Sequence, residues 1–237
     1  MMELPARAGF LGVLMLETRF PRVVGDIGHP ATFDFPLRHA VVAGASPRRV
    51  VRDRDATLLP PFIDAGRALV AQGARAVTTS CGFLVLFQRA LGAALPVPVW
   101  TSSLLLLPEL QAALPAGRRV GILTVDAEAL GADHLRAAGA DPATPVEGLA
   151  PGCRLQRSLL DDLPTRDEAQ AARDVVAAGR RLVGRCPEVA AIVLECSNMP
   201  PYASALRRAL GLPVHDLTTL LAERWGRLAS SPDGSAA

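Results

Sequence analysis

Apolar residues fall along this chain in short blocks separated by helix-like stretches, and the series of blocks occurs twice. Phe10–Leu16 is a continuous apolar run, the pattern of a strand buried on both faces. Its Gly12-Val13-Leu14 corresponds to Gly121-Ile122-Leu123 in the second half. Ala65-Gly66-Arg67-Ala68-Leu69-Val70 matches Ala178-Gly179-Arg180-Arg181-Leu182-Val183, and each reads as the tail of a helix. Each leads through a short turn into a β-rich run, Ala76–Ser80 and Ala191–Glu195, and each run ends at a cysteine, Cys81 and Cys196. Seventeen positions beyond each cysteine stands a Pro-Val pair, Pro98-Val99 and Pro213-Val214. Both pairs lead into leucine-bearing segments that predict helices, Ser102–Ala113 and Leu217–Leu228.

The repeating unit is strand, crossover, strand, helix, strand, cysteine, helix, strand. It spans roughly 110 residues, the size of one α/β domain. Alternating strands and helices imply parallel sheets covered by helices on both faces. The expected architecture is α/β, with two pseudo-symmetric lobes around a cleft. Residues 1–100 with 217–237 form the first lobe, and residues 101–216 form the second. The last helix returns to the first lobe, because by symmetry the helix after residue 101 crosses to the second. The small, polar tail after Ser230 is expected to fray.

Composition narrows the chemistry. Half of the 237 residues are apolar, enough for one large core or two smaller ones. A net charge of +2 gives no sign of nucleic acid or an anionic membrane as partner. The longest apolar runs, such as Gly9–Leu16 and Ser103–Leu107, are far short of the roughly 20 residues of a membrane helix. The start of the chain lacks the pattern of a signal peptide, so a cytoplasmic protein is expected. All 25 basic residues are arginine. Without lysine there is no Schiff base for pyridoxal phosphate and no P-loop. No Gly-x-Gly-x-x-Gly follows a strand. The four cysteines and four histidines lack zinc-site spacing. No cofactor and no metal are expected, and ordinary side chains carry the chemistry.

Cys81 and Cys196 end strands just before helix-like segments, where ligands of parallel sheets bind. A thiol there is expected to feel a helix dipole that lowers its pKa. Packed with pseudo-two-fold symmetry, the two lobes bring both thiols to one cleft. That arrangement suits racemisation, in which one base removes a proton and one acid returns it to the other face. Ser80, Gly82, Phe83, Ser197 and Asn198 flank the thiols in sequence. Cys153 and Cys186 have no repeat counterpart and read as small buried hydrophobes.

Thr78-Thr79-Ser80-Cys81-Gly82-Phe83 and Leu194-Glu195-Cys196-Ser197-Asn198-Met199-Pro200 resemble the two cysteine motifs of the aspartate/glutamate/hydantoin racemase superfamily. Gly121-Ile122-Leu123-Thr124 resembles the loop that opens that family's second lobe. The resemblance covers about residues 9–228. It implies two flavodoxin-like lobes and cofactor-independent catalysis by Cys81 and Cys196 on a small-molecule carboxylate. It also implies that Thr124, Ser197 and Asn198 contact the substrate's carboxylate or amino group. Glutamate racemases carry Cys-Asn-Thr and Cys-Thr-His where this chain has Cys81-Gly82-Phe83 and Cys196-Ser197-Asn198, which points away from glutamate.

The long segment Glu17–Pro36 is a candidate specificity loop. Within it, Arg19 and Arg22 could meet a second carboxylate and His29 a polar group; Glu17 and Asp126, each just past a first strand, could orient an amine. Three readings stay open. The leading one is an amino-acid or related racemase. Another is a cis–trans isomerase or other carboxylate-acting enzyme of the same scaffold. The third is a small-ligand binding protein without chemistry. Self-association into a homo-oligomer is also left open.

Overall fold

The computed structural model describes residues 9–230. The expected tail after Ser230, and residues 1–8 of the expected first lobe, lie outside the described residues.

The first sheet is built from β1 (Phe10–Leu16), β2 (Leu37–Val42), β3 (Ala74–Thr79) and β4 (Val99–Trp100), in the order β2-β1-β3-β4. The second is built from β5 (Arg119–Thr124), β6 (Val146–Gly148), β7 (Val189–Leu194) and β8 (Val214–His215), in the equivalent order β6-β5-β7-β8. All pairings are parallel. The duplication reaches into the register. The β1–β3 pairing slips between Phe10 and Leu11, and the β5–β7 pairing slips at the matching place, between Arg119 and Val120.

The helices explain the repeated Ala-Gly-Arg motif. Helix α1 (Leu59–Ala71) precedes β3, and α2 (Gln88–Ala94) follows Cys81. In the second lobe, α6 (Glu168–Arg185) precedes β7 and α7 (Ala203–Leu210) follows Cys196, after the intervening α3 (Leu107–Ala113), α4 (Ala132–Ala137) and α5 (Arg154–Leu160). A Cβ at Gly66 of α1 would collide with Leu95, just past α2. A Cβ at Gly179 of α6 would collide with Leu206 of α7. In both lobes glycine lets the helix before the cysteine strand lie close against the segment after it.

The main core runs without a break through both lobes, from Leu14, Phe62 and Val77 to Ile122, Leu182 and Val193. A second cluster covers the other face of the first sheet. There α8 (Leu217–Ser230) packs Leu217, Leu220, Leu221 and Trp225 against Leu11, Val13 and Met15. Phe35 stacks on Trp225 at 5.1 Å and closes that face. Helix α3 lies instead beside β5.

Two expectations change in detail. The segment Ser102–Ala113 is not one α-helix. Ser103–Leu106 forms a 3-10 turn capped by the Ser102 hydroxyl, and the α-helix starts at Leu107, where Pro108 brings a fixed φ and no N–H. The apolar run after Cys81 is likewise a 3-10 helix, Gly82–Phe87, and α-helical geometry begins only at Gln88. No helix among the described residues is long and apolar enough to cross a membrane.

Candidate functional site

Cys81 leaves the carboxyl end of β3 through Ser80, and Cys196 leaves β7 through Glu195. The two strand ends face one another. Both thiols line one cleft between the two strand ends. Both are free thiols. Ser80, Gly82, Phe83, Ser197 and Asn198 line the same cleft. The remaining walls are apolar, with Leu16, Phe20 and Val51 from the first lobe and Val125, Leu159 and Leu160 from the second. Arg22 is the one cationic side chain among the lining residues. Thr124 stands behind the lining, against Glu195.

The environments of the two thiols repeat. The backbone N–H of Phe83 is directed to the Cys81 sulfur, and that of Asn198 to the Cys196 sulfur, two residues on in each case. Both contacts favour the thiolate. The Cys196 thiol also donates to Asn198 Oδ1 at 3.7 Å. The two strand ends are tied together by Ser197 Oγ, which donates to the Ser80 carbonyl at 2.5 Å, while Ser80 Oγ accepts from the Leu16 amide at 2.8 Å. Ser103 Oγ, in the segment that joins the two lobes, donates to the Leu194 carbonyl at 2.7 Å. The Ser197 hydroxyl thus joins the two cysteine turns, while the Ser80 hydroxyl secures the first turn to β1. The Thr124 hydroxyl donates to Glu195 Oε2 at 2.7 Å.

The opening loop is organised by a residue that the sequence pattern does not single out. Asp26 is fully buried. Its Oδ2 accepts from Asn198 Nδ2 at 2.6 Å, and its Oδ1 accepts from Arg22 Nη1 at 2.9 Å and the Gly28 amide at 2.8 Å. Arg166, whose side chain is 1% exposed, approaches Asp26 at 3.9 Å and donates to the Asn198 carbonyl and the Tyr202 hydroxyl. Asn198 is therefore fixed from both sides, and its Oδ1 is turned to Cys196. The other loop candidates are engaged elsewhere. Arg19 pairs with Asp162, Glu17 accepts from the Gly44 amide, and His29 Nδ1 accepts from the Ala31 amide. Asp126 caps the turn at Glu128 and Ala129.

The electrostatics correct one expectation. Neither thiol is lowered overall, despite the amide directed at each sulfur. Burial, and then the Glu195 carboxyl, push Cys81 well above the usual thiol range. The same two causes push Cys196 up to about 12. The segment after each cysteine forms 3-10 or turn geometry, and the amide it directs at each sulfur is outweighed by burial. Arg22 acts in the opposite direction on Cys81, and Arg166 on Cys196.

Glu195 is the second residue that sequence reading passes over. It is 1% exposed, lines the cleft, and its own pKa is raised to about 8 by burial, against the lowering effect of the Thr124 hydrogen bond. The available signal was a carboxylate closing an apolar strand immediately before the repeated cysteine. Among the described residues, no group of three or more His, Cys, Asp or Glu side chains is placed to hold a metal ion.

Residues 108–225 match the family model described as Asp/Glu/hydantoin racemase. The chain is similar to a dimethylsulfoniopropionate lyase of Durusdinium sp. clade D, 28% identical over 221 residues, covering 87% of this chain and 70% of that protein. It is 29% identical over 239 residues to dimethylsulfoniopropionate lyase 6 of Emiliania huxleyi strain CCMP1516, covering 94% of this chain and 60% of that one. The chain thus spans about 60–70% of the length of these two curated relatives. Its fold is that of the allantoin racemase from Klebsiella pneumoniae, with a TM-score of 0.63 at 17% identity over 94% of this chain and 88% of the other.

Proposed function

Because the chain belongs to the aspartate/glutamate/hydantoin racemase superfamily, we propose that Cys81 and Cys196 remove and return a proton at the carbon beside a small molecule's carboxylate. In this reading the enzyme racemises or epimerises an amino acid or a related carboxylate and needs no cofactor. The observation that carries it is the pair of thiols brought to one small cleft from equivalent positions of two lobes, each with the amide two residues on directed at its sulfur. Equivalent groups on opposite walls can exchange the roles of acid and base with the direction of reaction. Arg22 is the cation that would receive the substrate carboxylate. Gly82, Phe83, Ser197 and Asn198 form the walls around the reacting carbon, with Ser80 holding the first wall in place. Thr124 acts through Glu195. The protein works as a cytoplasmic enzyme in this reading.

A second reading is favoured by the likeness to dimethylsulfoniopropionate lyases over 87–94% of the chain. Dimethylsulfoniopropionate carries a sulfonium leaving group on the carbon next to the one beside its carboxylate. Removal of the same kind of proton then ends in elimination rather than in proton return. One thiolate serves as base, and the largely apolar cleft suits the methylated sulfonium.

One experiment separates the readings. The protein is incubated in heavy water with a panel of amino acids, hydantoins and dimethylsulfoniopropionate, followed by proton NMR and chiral analysis. Racemisation gives deuterium at the α-carbon together with inversion; elimination gives acrylate and dimethyl sulfide. Cys81→Ser and Cys196→Ser are each expected to reduce inversion by at least about 100-fold, the usual scale of a lost acid–base partner. Cys153→Ser and Cys186→Ser are expected to leave turnover within about twofold. A folded Cys81→Ser or Cys196→Ser protein that inverts at the wild-type rate removes the two-thiol mechanism.

A further inference from the structure

Both thiols proposed as acid and base stand with raised pKa values, yet one of them must be ionised to start a cycle. A base is built into the same place. Glu195 is joined by a peptide bond to Cys196, and its carboxyl lies against the Cα of Gly82, the residue after Cys81. An ideal Cβ at Gly82 would stand inside contact distance of both Glu195 Oε1 and the Glu195 carbonyl oxygen, and 3.0 Å from its Cδ. The carboxyl is therefore wedged between the two cysteine turns. Its Oε2 is held by Thr124, whereas its Oε1 is buried and bonded to no donor among the described residues, neither thiol included, so it is open to a proton from either sulfur once a side-chain rotation brings the two together. Among the charges of the described residues, that of Glu195 acts most strongly on each thiol.

Resting on the two-thiol reading above, we propose that Glu195 is the proton partner of both cysteines, so that Glu195, Cys81 and Cys196 share one negative charge. Glu195 acts through the thiols and is a positioning residue in this sense. In the ionising step the S–H bond of one cysteine breaks and an O–H bond forms on Glu195 Oε1, with no change in total charge. Neutral Glu195 no longer repels the new thiolate. That thiolate takes the substrate proton, and the second thiol gives its own. The cysteines have then exchanged states. Protonated Glu195 then returns its proton to the new thiolate, which restores the starting form, and a transfer from the first thiol to Glu195 opens the next cycle. The groups that face this trio are Arg22 and Asp26 from the opening loop, Arg166 from the segment before α6, and the uncharged Thr124 from β5.

The test is the pH dependence of alkylation of Cys81 and Cys196 by iodoacetamide, quantified for each cysteine by mass spectrometry. It reads the shared charge without any substrate. In the wild type the rate should rise about tenfold per pH unit and flatten near pH 8, where Glu195 loses its proton and the trio holds its single charge. In Glu195→Gln, which keeps size and a partner for Thr124, the rise should continue beyond pH 8 by at least tenfold, up to the thiol's own ionisation. Thr124→Val removes the hydrogen bond that lowers the Glu195 pKa and should move the break to higher pH; it decides the matter if Glu195→Gln does not fold. The proposal is overturned if Glu195→Gln and wild type give the same profile, or if the Thr124→Val break does not move. If instead the profiles differ as expected but Cys81→Ser and Cys196→Ser retain full turnover, the two-thiol function fails and the shared charge stands.

Discussion

Gly82→Ala adds one methyl group at the point where the two cysteine turns meet. The new Cβ would overlap Glu195 Oε1 and the Glu195 carbonyl oxygen. The side-chain oxygen can swing away, but the carbonyl belongs to a backbone whose amide is bonded to the Leu123 carbonyl at 2.8 Å. Relief requires moving the end of β7 or the turn after β3. Overpacking of this kind costs about 1–3 kcal/mol. In a chain of this size each kcal/mol lowers the melting temperature by about 2–4 °C, so a fall of about 2–12 °C is expected. Turnover should fall as well, because the same displacement shifts both thiols. Gly92→Ala is the matched control. Gly92 lies exposed in α2 with nothing within 4 Å of its would-be Cβ, and alanine there should stabilise by about 0.5–1 kcal/mol. Urea and thermal unfolding of both variants, alongside turnover, give the comparison. Equal stability of the two variants would refute the claim that Gly82 is glycine to admit the Glu195 carboxyl.

Two further outcomes follow from buried charge. Asp26→Ala leaves Arg22 and Arg166 without their shared carboxylate and frees Asn198; a loss of about 3–5 kcal/mol in urea unfolding is expected, and a loss below 1 kcal/mol would mean that the network is dispensable. Stability should also fall with rising pH between about 4.5 and 8. Over that window the unfolded chain has already released the Glu195 proton while the folded protein keeps it, so the unfolded state binds fewer protons. The shift corresponds to about 4–5 kcal/mol at most, at about 1.36 kcal/mol per unit. Unfolding measured across the window should lose this slope in Glu195→Gln, and an unchanged slope would assign the effect to other groups.

The fold was legible because each repeated element answers to a local physical need that leaves its mark on residue type. Strand β1 is apolar at every position because helices cover both faces of a parallel sheet. The Ala-Gly-Arg motif recurs because Gly66 and Gly179 each admit a leucine from the segment after the cysteine strand. The thiol pair was legible for a related reason: a scarce residue recurs at equivalent strand ends, and topology then brings both to one cleft.

What escaped sequence reading are the groups that have no counterpart in the other half. Glu195 corresponds to Ser80, and Ser80 spends its hydroxyl on the Leu16 amide instead of on a thiol. Asp26 comes from the irregular loop between β1 and β2, where the second lobe carries α4 between β5 and β6, and its partners Asn198 and Arg166 lie 172 residues and more than a hundred residues away in sequence, so no local pattern could join them. The sign of the thiol shifts was missed because it depends on tertiary burial and on Glu195, which together outweigh the single amide directed at each sulfur. The symmetric part of the site therefore supplies two similar thiols, and the asymmetric part makes them different. Glu195 stands between the two cysteine turns, whereas the Asp26–Asn198 pair lies beside Cys196 alone, so the two faces of a substrate meet unequal walls. A substrate with two distinguishable ends would then be held in one orientation, which a site built from the repeat alone could not impose.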